Sequence, residues 1–117
     1  MNKKVSLLTI CTVFSCASFA QGAPSFSAIA EVVAHSRICQ EAMTALEEPE
    51  LAEHFKGKST FGYKVAMELY PQDVDHLTLF VAQTKQTAIK NASTYDDWDK
   101  VNLNFRCINT YIADQSS

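Results

Sequence analysis

Two cysteines, Cys39 and Cys107, lie beyond the N-terminal leader with 67 residues between them. A bridge between them would tie the start of the domain to its end, so it restricts the topology more than any other feature of the chain. The leader makes that bridge the expectation. Lys3 and Lys4 form a positive start, Val5 to Phe19 is an uncharged and mostly apolar run, and Ser18 and Ala20 place small residues at −3 and −1 of a cut before Gln21. That run is too short to cross a bilayer, which takes about 20 residues, and no second long apolar stretch follows. Export and periplasmic or secreted location follow as expectations. Thr12-Val13-Phe14-Ser15-Cys16 also has the form of a lipobox. Lipidation of Cys16 would anchor the domain to a membrane without spanning it, and both routes stay open.

Cys11 and Cys16 belong to the leader, so cleavage after Ala20 leaves an even pair in an oxidising compartment. A structural disulfide between Cys39 and Cys107 is expected, stabilising by about 4 kcal/mol in the chain-entropy description. A metal pair and a redox pair are the alternatives, and neither cysteine stands in a C-x-x-C arrangement. Gln21 to Ser117, 97 of the 117 residues, suit a single domain. The leader takes two of the ten Lys and Arg and none of the thirteen Asp and Glu, leaving eight against thirteen, a balance of −5. Such a chain is a poor match for nucleic acid or anionic membrane surfaces and is compatible with a basic protein partner.

The apolar periodicity is helical throughout, and three glycines and three prolines are too few for a strand-and-turn pattern. A first helix is expected from an N-cap at Ser27 to about Leu46, with Ile29, Val32, Val33, Cys39, Met43 and Leu46 as its apolar stripe. Pro49 should open a short helix through Lys56 that stops at Gly57. Ser59 or Thr60 should cap a third, to Tyr70, burying Phe61, Val65 and Leu69. Pro71 breaks the chain, and Asp73 caps a fourth helix to about Asn91 with Val74, Leu77, Phe80, Val81, Thr84 and Ala88 inward. Thr94 and Asp97 form a T-x-x-D capping pattern for the last helix. Its stripe is Trp98, Val101, Phe105, Ile108 and Ile112. The expected fold is all-α: a bundle of four to five helices with first and last joined by the disulfide.

No residues stand in a catalytic pattern. His35 and Cys39 have a metal-compatible i, i+4 spacing, but a bridged Cys39 is no ligand, and His54 and His76 lack a local partner. No cofactor is expected, and an enzyme is not the favoured reading. Glu47, Glu48, Glu50 and Glu53 cluster around the end of the first helix, and Asp96, Asp97 and Asp99 around the start of the last. Carboxylates there complement helix dipoles and form solvated faces, or they dock a partner.

The stretches Ala34-His35-Ser36-Arg37-Ile38-Cys39-Gln40-Glu41-Ala42 and Leu103-Asn104-Phe105-Arg106-Cys107-Ile108-Asn109-Thr110-Tyr111 resemble those around the two cysteines of a group of periplasmic all-helical immunity proteins of type VI secretion amidase effectors. Cys39 and Cys107 carry over, in a structural role. The resemblance implies a binder that plugs the active-site cleft of a cell-wall-cutting amidase, often as a homodimer. The candidate contact regions are the connections at 47–50, 57–60 and 71–73, with Glu47, Glu48, Glu50, Lys58 and Asp73 as partner-binding residues. The alternatives are a periplasmic carrier or sensor holding a small ligand between helices, near Met43 or Met67, and an envelope chaperone or accessory protein.

Overall fold

The structure, a computed structural model, describes residues 22–116. The expected leader, its expected cut after Ala20 and the lipidation alternative at Cys16 lie outside them. The described chain is five α-helices: α1 (Phe26–Ala45), α2 (Pro49–Leu69), α3 (Val74–Ile89), α4 (Tyr95–Phe105) and α5 (Cys107–Ser116), with a 3-10 turn at Pro71–Asp73 before α3. There are no strands among the described residues. Cys39 and Cys107 form a disulfide, Cα to Cα 5.4 Å, that joins α1 to α5 as the sequence indicates.

The central helix is α1. Its buried residues include the adjacent pairs Ile29 and Ala30, Val33 and Ala34, Ile38 and Cys39, Ala42 and Met43. Adjacent residues point about 100° apart, so α1 is covered on more than the one face its large residues suggest. Small residues make this work. Ala30, Val33 and Ala34 pack with Val65 and Ala66 of α2 and Leu77 and Val81 of α3. Ile38, Cys39, Ala42, Met43 and Leu46 pack with Phe55, Val101 and Cys107. The N-cap is Ser25, not Ser27. Ser25 Oγ accepts the Ala28 N–H at 3.1 Å, and the Tyr70 hydroxyl holds the chain just before it by donating to Pro24 O at 2.8 Å.

Helix α2 corrects the expectation of two helices and a loop at 57–60. Gly57 lies inside one continuous helix, and Thr60 donates to Lys56 O instead of capping. A mid-helix glycine costs about 1 kcal/mol. Phe55 before it in the chain and Ser59, Gly62, Val65 and Ala66 after it are buried, and that anchoring outweighs the cost. Leu69 is exposed where burial is expected. The break at Pro71 stands. Asp73 occupies the N-cap position of α3 without a side-chain cap bond.

The capping box at Thr94 and Asp97 is present, with each side chain accepting from the other residue's backbone N–H at 3.1 Å. Hydrogen bonds from the backbone N–H groups of Ser93 and Thr94, then from the Thr94 side chain, hold the Asp97 carboxyl below its ordinary range. Its folded pKa is depressed, so this contribution is present at neutral pH and lost on acidification through the folded pKa.

The last helix is two helices. The chain turns at Arg106, in left-handed geometry at φ 52, which costs a non-glycine residue about 1 kcal/mol. The interruption turns Cys107 into the core and leaves Ile108 37% and Ile112 57% exposed, against the expected stripe. Two side chains satisfy backbone groups there. His35 Nε2 donates to Phe105 O at 2.7 Å, and buried Asn102 accepts the Ile108 N–H at 3.1 Å through Oδ1.

Candidate functional site

The α1–α2 connection is a six-to-one, five-to-two helix C-cap. The Glu48 N–H donates to Met43 O at 2.8 Å and the Glu47 N–H to Thr44 O at 3.2 Å. The residue between cap and exit usually is glycine, yet here Glu47 adopts φ 60. Glu47, Glu48 and Glu50 are all exposed on this turn and on the first turn of α2. Trp98, in the first turn of α4 with Asp96 and Asp99, packs on the same core cluster as Leu46 and Leu51. None of these five carboxylates pairs with a described cation. The two acidic clusters of the sequence thus flank one core cluster.

The other candidate contacts lie elsewhere. Asp73 is at the opposite end of α2, about 30 Å away along a 21-residue helix, with its carboxylate 3.8 Å from His76 Nδ1. Lys58 is on a helix and committed internally. Its ammonium donates to Asp114 Oδ2 at 2.7 Å, and His54 Nε2 donates to the same oxygen at 2.7 Å. The His54 ring meets the Phe55 and Tyr111 rings edge-on at 5.2 and 5.0 Å. Lys58 and Asp114 are 11% and 12% exposed, so this is a largely desolvated latch holding α5 on α2. Asp114→Asn is expected to cost about 1–3 kcal/mol, because it leaves the Lys58 charge unpaired. A chemical-denaturation curve measures the loss, and faster amide exchange confined to α5 would locate it. Separations of 56 and 60 residues give such a latch no local signature in the sequence.

His35 also has a structural place: its imidazole bridges to Phe105 O with Nε2 3.6 Å from Cys39 Sγ. No group of three or more His, Cys, Asp or Glu among the described residues is placed to hold a metal ion. Met43 is fully buried and Met67 is 58% exposed, so the two do not share a pocket. No helix among the described residues is long and apolar enough to cross a membrane.

A further hollow is absent from any sequence expectation. Between α3 and α4 runs a trough of about 410 Å³ lined by Phe80, Gln83, Thr84, Thr87, Ala88 and Phe105. Leu77 and Val81 are buried as expected, but Phe80 is 42% exposed along this trough. Comparison with protein families, curated proteins and solved structures found no match to this chain.

Proposed function

We propose that this chain is an exported protein-binding module and, in its specific form, an immunity protein that blocks an envelope-acting, peptidoglycan-cleaving enzyme. The observation that carries the reading is the acidic end of the bundle: unpaired carboxylates on a turn whose backbone is clamped by hydrogen bonds and whose Glu47 is held at φ 60. Unfavourable backbone geometry at an exposed charged residue marks positions where placement of the side chain is worth its cost. A preorganised surface loses little entropy on binding, and its charge suits a basic rim around a partner's cleft.

The test is capture by tagged Gln21–Ser117 from envelope and secreted fractions, with the eluate assayed for peptidoglycan cleavage. A stoichiometric hydrolase whose activity falls on adding the chain supports the reading. A clean eluate contradicts it. Glu47→Gly separates the roles of this residue. Relief of the left-handed strain should raise stability by up to about 1 kcal/mol, read as a small rise in Tm, while loss of the carboxylate weakens capture. Unchanged capture would remove Glu47 from the contact.

A further inference from the structure

Helices α3 and α4 both rest on α1, are joined by the turn at residues 90–94, and both line the trough. Phe80, Gln83, Thr84, Thr87 and Ala88 of α3 and Phe105 of α4 line it, and no charged side chain does. A second hollow of about 210 Å³, which Lys90 and Lys100 line, shares Thr87 and Ala88 with it. Lys58 and Lys85 are paired with carboxylates, whereas neither Lys90 nor Lys100 pairs with any described one. Asp97 also borders this hollow, but its carboxylate accepts from the Ser93 and Thr94 backbone N–H groups and is occupied as a cap. An open, mostly apolar groove thus adjoins a hollow that carries two lysines and one capped carboxylate.

We propose that the α3–α4 trough binds a single-chain anionic amphiphile, a fatty carboxylate, with its acyl chain along Phe80, Thr84, Ala88 and Phe105 and its carboxylate between Lys90 and Lys100. Phe80 lies ten residues from Lys90, about 15 Å along the helix, the reach of an extended chain of about twelve carbons. The trough has the volume of a small-ligand site, in the range of about 300–1,000 Å³. Its charge sits at one end of its apolar length. A single-tailed amphiphile carries its charge that way, whereas an amphipathic helix carries charge along the face opposite its apolar stripe. The proposal does not depend on the protein-binding reading, which uses the other clustered acids.

The experiment is titration of isotopically labelled Gln21–Ser117 with dodecanoate below its micelle concentration, followed by amide shifts, with dodecanol as the uncharged probe. Saturable one-to-one shifts confined to α3, the 90–94 turn and α4 are expected. Lys90→Ala with Lys100→Ala should weaken dodecanoate by about tenfold or more and leave dodecanol unchanged. Phe80→Ala should weaken both, and because Phe80 is half exposed, circular dichroism should show the fold intact. Unsaturable shifts, shifts scattered over exposed Met67, Leu103 and Ile112, or an unchanged dodecanoate affinity in the double lysine variant would overturn it. So would a Leu/Glu amphipathic peptide that perturbs the trough when dodecanoate does not, because that would seat a protein segment there.

Discussion

Cys39→Ser is expected to lower the stability of the folded chain by about 4 kcal/mol, a fall in Tm of roughly 20 °C for a domain this size. The bridge spans 68 positions, so its loss returns most of the chain's loop-closure entropy to the unfolded ensemble. It also holds down α5, which opens at Cys107 and otherwise rests on α2 through the Asp114 latch and Tyr111. Loosening should therefore begin at α5. Both sulfurs are fully buried, so the serine hydroxyl would add a desolvation cost of its own. Calorimetry of wild type and variant under oxidising conditions measures the effect. Coincident melts would mean that the bridge contributes nothing to the fold.

Gly62→Ala is expected to be the next most damaging change, at about 2 kcal/mol or somewhat more. A Cβ at Gly62 would stand 2.5 Å from Val33 Cγ2, inside any real contact distance. The α1–α2 crossing is the most extensive helix contact in the bundle, and Val33 is fully buried with no room to yield. Overpacking of this kind costs about 1–3 kcal/mol. The same substitution at Gly57, where a Cβ meets nothing within 4 Å, should instead stabilise by about 1 kcal/mol, because it removes a mid-helix glycine. A double variant, Gly62→Ala with Val33→Ala, should recover part of the loss by making room. Denaturation curves for the four proteins test this. Equal effects at the two glycines would contradict the close approach.

The all-helical class, the disulfide, the break at Pro71 and the Thr94 capping box were legible because each is a local or compositional signal with one physical solution. Two helix boundaries were not. Gly57 reads as a stop in isolation, and only burial of Phe55 against α1, with Ser59 buried one turn later, shows why the helix runs through it. The regular spacing of Trp98, Val101, Phe105, Ile108 and Ile112 suggests one continuous helix. The turn at Arg106 depends on His35, about 70 residues away, and on Asn102 to satisfy its backbone. Large apolar residues gave α1 one stripe, while Ala30, Ala34 and Ala42 let neighbours approach its other sides. For the candidate site, clustering in sequence singles out Glu47, Glu48 and Glu50, and the structure places all three exposed at the α1–α2 connection. Lys58 was placed in a loop by the misread Gly57 and is instead an internal ion pair. Asp73 belongs to the other end of the molecule.

The acidic end as the contact surface is tested most directly by amide hydrogen exchange of the chain alone and bound to its captured partner. Protection concentrated at residues 45–52 and 94–100 is the predicted result. Protection confined to α5 or to the exposed face of α3, with the 45–52 turn exchanging as in the free chain, would contradict it.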